Sequence, residues 1–289
     1  GVFFIGIPLG IGLAFVIAGT LGIQYGWRGT FNILGLAGAA FTVPLLLLRD
    51  ERHGGDSHER GAPFRQQVRS VFAAVHGSAP LRQTMVGFVL IHFAFASLAF
   101  VQLWLVRERG LDGGTIAKQM GVLQILFGTL GAVLGGVASD RFARHFKGGH
   151  ASVLALMVLV MAPLMLAYRF APAGSALFYI GMCAGFVLPL ATYGPANALI
   201  QALTPAHMRS TVTGATMMLI NVFAVAIGNL AVGAVSDRLT ATGSAVGLTV
   251  ALVATDVLVA CSLWFFWRAS RSGDAHLADA VDKNAVPVH

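Results

Sequence analysis

Two ionisable side chains lie inside long apolar runs, where a charge is costly and a chemical role is the first hypothesis. His92 lies within LIHFAFA and Asp256 within VATDVLV. His92 could bind an anionic group or exchange a proton near neutral pH, and Asp256 could take up a proton. Each also has a structural interpretation, a neutral ring or a buried carboxyl group that is hydrogen-bonded to a neighbouring helix.

Neutral polar side chains repeat at helical spacing in other apolar runs. Tyr193, Asn197 and Gln201 recur every four residues, so that they lie on one face of a helix, while Asn221 and Gln124 come from two further runs. These residues are candidates for binding a substrate. Hydrogen bonding between helices, worth about 0.6 kcal/mol on average, is the alternative for each of them.

A charged connection, GGVASDRFARHFKGGH at 135–150, separates two of the apolar runs. Gly136 lets helices approach closely, and Asp140 can accept hydrogen bonds at a helix end. Arg141 and Arg144 can bridge to that carboxylate or to phosphates. Together these residues could form a charged latch that makes and breaks between helices. The alternative is a solvated acid beside arginines that only set the membrane topology.

The motifs of the common hydrolases and metalloenzymes are missing from the sequence. It contains no HExxH, no GxSxG and no paired-cysteine motif, so we expect no enzyme activity, no metal and no cofactor. Cys183 and Cys261 lie in apolar runs and are interpreted as packing residues. The net charge of +7 is dispersed among the loops, which argues against nucleic acid as a partner.

The elements that position these residues must be membrane helices. The chain of 289 residues is 56% hydrophobic and 11% charged, with a mean hydropathy of +0.77, whereas a soluble domain has roughly 25% charged residues. The apolar runs do not alternate as the strands of a membrane barrel do. We therefore predict an all-α transmembrane bundle of eight spans, at roughly 3–23, 30–48, 83–106, 116–139, 151–168, 174–202, 211–235 and 244–268.

The basic residues are divided unequally between the two sides of these spans. Thirteen of the 19 Lys and Arg residues lie on the side of the 49–82 linker and the C-terminal tail. The positive-inside bias predicts that this side is cytoplasmic. We expect a multi-pass protein in a cell membrane of the bacterial inner-membrane type. The other side carries Arg28, Arg107, Arg109, Lys118, Arg169 and Arg238.

The linker has a helical pattern of its own in its second half. Its apolar residues share one face, which predicts a short amphipathic helix on the membrane surface with Arg65 and Arg69 toward the lipid headgroups. The apolar residues are Phe64, Val68, Val71, Phe72 and Val75.

The first residue is Gly1 within an apolar run, with no charged n-region before it, so we expect no signal peptide. We expect that the sequence begins inside a span and that an N-terminal portion of a longer protein is missing.

Two spans, a linker, six spans and a tail resemble the last eight of the twelve spans of the major facilitator superfamily. The connection GVASDRFARH resembles the signature loop of that family, with Gly136, Asp140, Arg141 and Arg144 in the matching positions. It departs from the pattern at Ala143 and His145, which replace a glycine and a base. The segment ALTPAHMRSTVTG, 202–214, resembles the cytoplasmic entry to the eleventh span of the family.

The opening of the chain resembles the fifth and sixth spans of spinster-like members and of neighbouring organic-anion carriers. The matching residues are Pro8, Gly10, Gly12, Gly26, Trp27, Arg28 and Phe31. The spinster-like branch implies a lipid-like amphiphile as substrate, and the organic-anion branch implies a carboxylate or sugar acid.

The family resemblance implies a division of the chain. Residues 1–48 would be the last two spans of an N-terminal six-helix bundle, and 49–82 a cytoplasmic linker. Residues 83–268 would be the C-terminal six-helix bundle, and 269–289 a cytoplasmic tail. Two such bundles carry out secondary active transport by rocking about a site near the midplane of the bilayer.

The implied partners are a small-molecule substrate, the lipid bilayer and a coupling proton or cation. His92 would fall on the seventh span and Tyr193 on the tenth, which both line the cavity of the family, whereas Asp256 would fall on the peripheral twelfth. The alternative function is a structural or signalling membrane protein that derives from a transporter and no longer transports.

Overall fold

The computed structural model describes residues 6–43 and 64–283, and within these ranges it leaves out the side chains of residues 23, 64 and 273–283. Every regular element of this part is helical, which confirms the all-α prediction. The helices are α1 (Gly6–Thr42), α2 (Phe64–Gly77), α3 (Ala79–Ile91), α4 (Phe93–Arg107), α5 (Gly113–Phe142), α6 (Gly149–Ala167), α7 (Ala176–Ala191), α8 (Tyr193–Ala202), α9 (Arg209–Leu219), α10 (Gly228–Ala241) and α11 (Gly247–Lys283). A 3-10 turn, Ala206–Met208, precedes α9, and a π-helix, Ile220–Ile227, joins α9 to α10.

Six helical stretches in the described residues are long and apolar enough to cross a membrane, and each coincides with one of the last six predicted spans. Their bounds are Ala79–Arg107, Gly113–Phe142, Gly149–Ala167, Ala176–Ala202, Ala206–Ala241 and Gly247–Ser272. The fifth of them extends beyond the predicted span 211–235 at both ends. Helical hydrogen bonding continues there through polar residues such as Asp237, because a helix need not end where the hydrocarbon ends.

The first two predicted spans fall on α1. Its apolar part includes Gly6–Gly22, and the helix kinks at Gly26, whose φ of 65° suits glycine. Residues 3–5 of the first predicted span and 44–48 of the second lie outside the described residues.

Side-chain caps fix where three of the spans begin. The Ser78 hydroxyl caps α3, the Asp112 carboxylate caps α5 and the Ser175 hydroxyl caps α7, each by accepting from a backbone N–H three residues on. The backbone N–H and the hydroxyl of Thr115 both donate to Asp112 and hold the pKa of that carboxyl below its usual value.

The helices pack around two apolar centres, one containing Phe88 and Phe266 and the other containing Trp104 and Phe178. α11 lies against α3, α4 and α6, and α5 lies against α1 and α7. At Gly131 an added Cβ would lie 2.7 Å from the carbonyl oxygen of Val187 on α7. Such a close approach is possible only with small residues.

Candidate functional site

Three spans depart from α-helical hydrogen bonding near their middles. The first is interrupted at His92, between α3 and α4, and the fourth at Thr192, between α7 and α8. The fifth contains the π-helix Ile220–Ile227. Irregular backbone at membrane depth occurs where it is buried in protein or lines a cavity, and π-helical turns occur frequently at functional sites.

The three irregular segments lie close together. The π-helix packs against both α3 and α4, which meet at His92, and α8 packs against α3. The ring centroid of Tyr193, the first residue of α8, lies 4.9 Å from that of His92. Phe88 and Phe95 complete a group of four rings around the break, at 4.5 and 5.5 Å from His92. We call these four residues the aromatic cluster.

The hydrogen bonding of His92 leaves one of its ring nitrogens without a protein partner. Its Nδ1 lies 2.6 Å from the carbonyl oxygen of Phe88. A carbonyl oxygen can only accept, so Nδ1 carries the hydrogen, and Nε2 of the neutral ring is then an acceptor. Nε2 is fully buried and has no hydrogen-bond partner in the described part of the chain. A donor group of a substrate would satisfy it.

The other predicted polar residues are only partly brought to this place. Asn197 is buried one turn after Tyr193, and its side-chain amide donates to the Tyr193 carbonyl at 2.8 Å. Gln201 is exposed near the end of α8. Asn221 lies on the π-helix but is exposed and donates to the Met217 carbonyl at 2.8 Å. The predicted stripe therefore exists as a helix face, but only its first two members are near the break.

Gln124 occupies a separate position, where α1, α5 and α7 meet. Gly128 of α5 faces the side chains of Gln124, Pro8 and Leu190. Gln124 is buried, and neither its amide nitrogen nor its oxygen has a hydrogen-bond partner among the described residues. It therefore lies on the α5 side of the fourth span, whereas His92 lies on the α3 side.

Asp256 is paired with an arginine. Its carboxylate oxygens lie 2.7 Å from Nε and 3.3 Å from Nη2 of Arg169, and both side chains are buried. Ser97 on α4 accepts from the same guanidinium. The Arg169 guanidinium also stacks on the rings of Tyr168 and Trp104, at 4.3 and 5.0 Å from their centroids.

Further polar contacts bind α4, α6 and α11 together next to this pair. The Glu108 carboxylate accepts from the backbone N–H groups of Leu248 and Thr249, at 2.6 and 2.9 Å, and so caps the start of α11. The Thr249 hydroxyl donates to Glu108 and accepts from the Trp104 indole. Arg109 donates to the backbone carbonyl of Arg169.

The predicted latch residues lie at the end of α5. Asp140 and Arg141 are in its last turn and Arg144 in the turn that follows, and all three are exposed. No ion pair joins them to another side chain in the described residues. Next to them, the Ser139 hydroxyl and Nδ1 of His150 lie 2.7 Å apart, which connects α5 to α6.

Sequence reasoning missed the partner of Asp256, the interruption at His92 and the π-helix. Arg169 falls just beyond a predicted span and reads as a loop residue, although its aromatic neighbours in AYRFA signal that it could be buried. Pro189 precedes the break at Thr192 by three residues and signals a bend there. The π-helix carries no such signal.

Comparison with known proteins extends these observations. The profile of the family described as "Major Facilitator Superfamily" matches residues 1–228. The curated "Protein spinster" of Drosophila melanogaster is 25% identical over 175 residues, which are 56% of this chain and 28% of that protein. An "MFS-type efflux pump" of Mycolicibacterium smegmatis is 26% identical over 247 residues, 82% of this chain and 54% of that protein.

Two solved structures share the fold. Both are of a bacterial homologue of the human lysosomal transporter spinster in an inward-facing conformation. The occupied form gives a TM-score of 0.69 at 18% identity, covering 92% of this chain and 68% of that one. The unoccupied form gives 0.67 at 19% identity, covering 92% and 65%. The chain thus spans about a quarter to a half of the curated relatives and about two thirds of the solved homologue.

Proposed function

This chain belongs to the major facilitator superfamily, and we propose that it carries a lipid-like amphiphile across a membrane by secondary active transport with alternating access. The observation that supports this most directly is the meeting of three irregular span segments at the aromatic cluster. Transporters bind their substrates near the bilayer midplane on discontinuous helices, because unwound backbone and freed side chains can face a ligand there.

The chemistry of the cluster favours an amphiphile over an organic anion. The neutral His92 ring offers an acceptor, which suits a hydroxyl or ammonium donor rather than a carboxylate. Three aromatic rings around it suit an apolar chain. Arg169, the buried arginine of the described residues, is already paired with Asp256. An organic anion, the second candidate, would have to be met by a protonated His92.

The candidate residues have different proposed roles in transport. His92 and Tyr193 are proposed to touch the substrate head, and His92 to exchange the coupling proton. Gln124, with its unsatisfied amide between α1 and α5, is proposed to contact the substrate from the far side of the fourth span. Asn197, Gln201 and Asn221 stay predictions as substrate contacts. Asp256 stays a prediction as a second proton site.

The proposed arrangement of the chain follows the family. Residues 1–48 belong to the N-terminal bundle, and residues 49–82 form a cytoplasmic linker. Residues 83–268 form the C-terminal bundle, and residues 269–289 form a cytoplasmic tail. The membrane is of the bacterial inner-membrane type. Contacts between α1 and α5 are then contacts between the two bundles.

Uptake into proteoliposomes tests the proposal, using the protein as its gene encodes it. A fluorescent sphingoid base, a lysophospholipid and a sugar acid are offered with and without a pH gradient. We expect gradient-dependent uptake of an amphiphile and none of the sugar acid. Uptake of the sugar acid alone would establish the organic-anion alternative. Binding of amphiphile without uptake of any of the three would favour a structural or signalling protein.

The variant His92→Ala should lower amphiphile uptake by about tenfold, the value of roughly one hydrogen bond, and should remove its pH dependence. His145→Ala is the matched control, because His145 is exposed in the α5–α6 connection. Unchanged pH dependence in His92→Ala, together with normal uptake, would contradict the role of His92.

A further inference from the structure

An apolar groove lies between the linker helix and the C-terminal spans. It has a volume of about 390 Å³ and is formed by α2, α3 and α9. α2 contributes one face of its helix, α9 contributes Thr211, Gly214, Ala215, Met218 and Leu219, and α3 contributes Met85. Among the described residues of the lining, only Gln67 and Thr211 are polar.

α2 cannot fill this groove by itself. Val71 and Val75 pack against the apolar core beneath the helix. Phe72, which also lines the groove, is 72% exposed, and Met218 on the opposite wall is 60% exposed. Large apolar side chains on both walls are therefore left for an apolar occupant.

The three helices that line the groove carry arginines and contain no acidic residue of their own. Residues 64–107 and 203–227, which include all three helices of the groove, contain no Asp or Glu. Arg65 and Arg69 on α2 and Arg209 at the start of α9 are exposed. A molecule that complements both features has an anionic head and an apolar chain.

We propose that this groove holds one acyl chain of an anionic phospholipid whose phosphate is bound by Arg65 and Arg69. The occupant is a resident lipid of the membrane and not the transported molecule, since one wall of the groove is the linker helix and no residue of the aromatic cluster lines it. Basic residues on an amphipathic helix attract anionic lipids through their charge, and the groove adds a fixed place for the chain. The lipid would tie the linker to the C-terminal bundle.

Fluorescence quenching measures occupancy of the groove directly. Phe72→Trp places an indole on the wall of the groove. The four native tryptophans also fluoresce, so the quenching of the unsubstituted protein is subtracted to obtain the signal of the introduced indole. The protein is reconstituted in phosphatidylcholine vesicles with a small fraction of phosphatidylglycerol, and either lipid carries brominated acyl chains. We expect brominated phosphatidylglycerol to quench the introduced indole in excess of its mole fraction, on the order of tenfold.

Two further variants identify the site. Gly214→Leu should remove the excess quenching, because a side chain at Gly214 points into open space and fills the groove. Gly35→Leu on α1, also in open space, is its matched control and should change nothing. When Arg65 and Arg69 are both replaced by Gln, the two brominated lipids should quench the introduced indole equally at equal mole fraction.

Two results would overturn the proposal. If the two brominated lipids quench equally per mole fraction while Arg65 and Arg69 are present, the protein does not recognise the anionic headgroup. Excess quenching that survives Gly214→Leu would mean that the lipid lies elsewhere on the protein. Thermal unfolding of each variant, compared with the unsubstituted protein, ensures that a lost signal does not come from a misfolded chain.

Discussion

At the scale of single residues, His92 and Asp256 are both deeply buried and titratable but differ in how their polar atoms are paired. Asp256 is satisfied by Arg169, with Ser97 on the same guanidinium and aromatic rings on its faces. His92 keeps an unsatisfied nitrogen inside the aromatic cluster. An unpaired buried polar group is costly, and we propose that the substrate completes the hydrogen bonding of His92. For Asp256 to bind a coupling proton, Arg169 would first have to move away.

The Arg169–Asp256 pair predicts a non-additive effect on stability. Arg169→Met or Asp256→Leu alone should lower the free energy of unfolding by about 3–5 kcal/mol, because each leaves one buried charge without its partner. The double variant should be markedly less destabilised than the sum of the two single variants, since neither charge remains. Unfolding of the purified variants in detergent measures the difference, and strict additivity would contradict the pairing.

A conservative substitution distinguishes the predicted proton-coupling role of Asp256 from its structural role. Asp256→Asn keeps a hydrogen-bonding side chain beside Arg169 but cannot ionise. If uptake driven by a pH gradient persists in this variant, coupling through Asp256 is wrong. Loss of the gradient effect in a variant that still exchanges substrate would support it.

At the scale of helices, small residues and end caps decide how the spans fit together. α5 and α7 approach so closely at Gly131 and Gly135 that there is no room for a side chain at either position. At the other end of the bundle, Glu108 from the α4–α5 connection caps α11, so that the start of one span is fixed by another. Because peptide groups in a membrane have no water to bond, such contacts replace the hydrophobic effect in holding spans together.

The close approach predicts opposite results for two glycine substitutions. Gly135→Ala should destabilise the protein by about 1–3 kcal/mol, because its Cβ would collide with the Ala191 backbone on α7. Gly185→Ala on α7 is the matched control, since the nearest atom to its Cβ, Met165 Cε, is 4.0 Å away. The control should be neutral or slightly stabilising, as alanine favours helix. Equal loss of thermal stability in both variants would contradict the assignment of the contact.

At the scale of the whole molecule, the contact between α1 and α5 is the one across which the two proposed bundles would move against each other. α1 crosses α5 with Gly12 facing Gly121, at a separation that admits no larger side chain at either position. The exposed charges of the signature loop lie at the end of the same helix α5. A change in the angle between α1 and α5 would therefore move the loop relative to α1.

The signature loop has an internal control for its proposed latch. The sequences ASDRF around Asp140 and VSDRL around Asp237 are alike, and both acids are exposed in the last turns of α5 and α10. Asp140→Asn should slow transport severalfold without changing thermal stability, because it weakens one conformational state. Asp237→Asn should leave the rate unchanged. Equal rates in both variants would leave Asp140 as an ordinary solvated charge.

The proposed topology can be tested with cysteines at two exposed alanines. Cys183 and Cys261 are first replaced by serine. Ala206→Cys lies before α9, on the side proposed as cytoplasmic, and Ala245→Cys lies between α10 and α11 on the opposite side. In intact cells a membrane-impermeant maleimide should label Ala245→Cys and spare Ala206→Cys until the cells are opened. The reverse pattern would invert the proposed orientation.

The sequence alone determined the class of the protein and the places of its last six spans. The length and composition of its apolar runs leave only membrane helices, because a bilayer requires about 20 apolar residues per span and satisfied backbone groups in each. The loop at Gly136, Asp140, Arg141 and Arg144 indicated the family, which the family comparison confirmed. Gly131 and Gly135 are four residues apart, a spacing typical of closely packed membrane helices, and an added Cβ at either would meet the backbone of α7.

Only the tertiary structure decided which polar residues meet. Tyr193, Asn197 and Gln201 share a helix face by spacing, yet the break at Thr192 brings Tyr193 alone against His92. Arg169 and Asp256 are 87 positions apart and form an ion pair because α6 and α11 pack together. Periodicity reports which side of one helix a residue occupies, whereas the partner on the next helix depends on how the spans cross, and that follows from packing among distant segments.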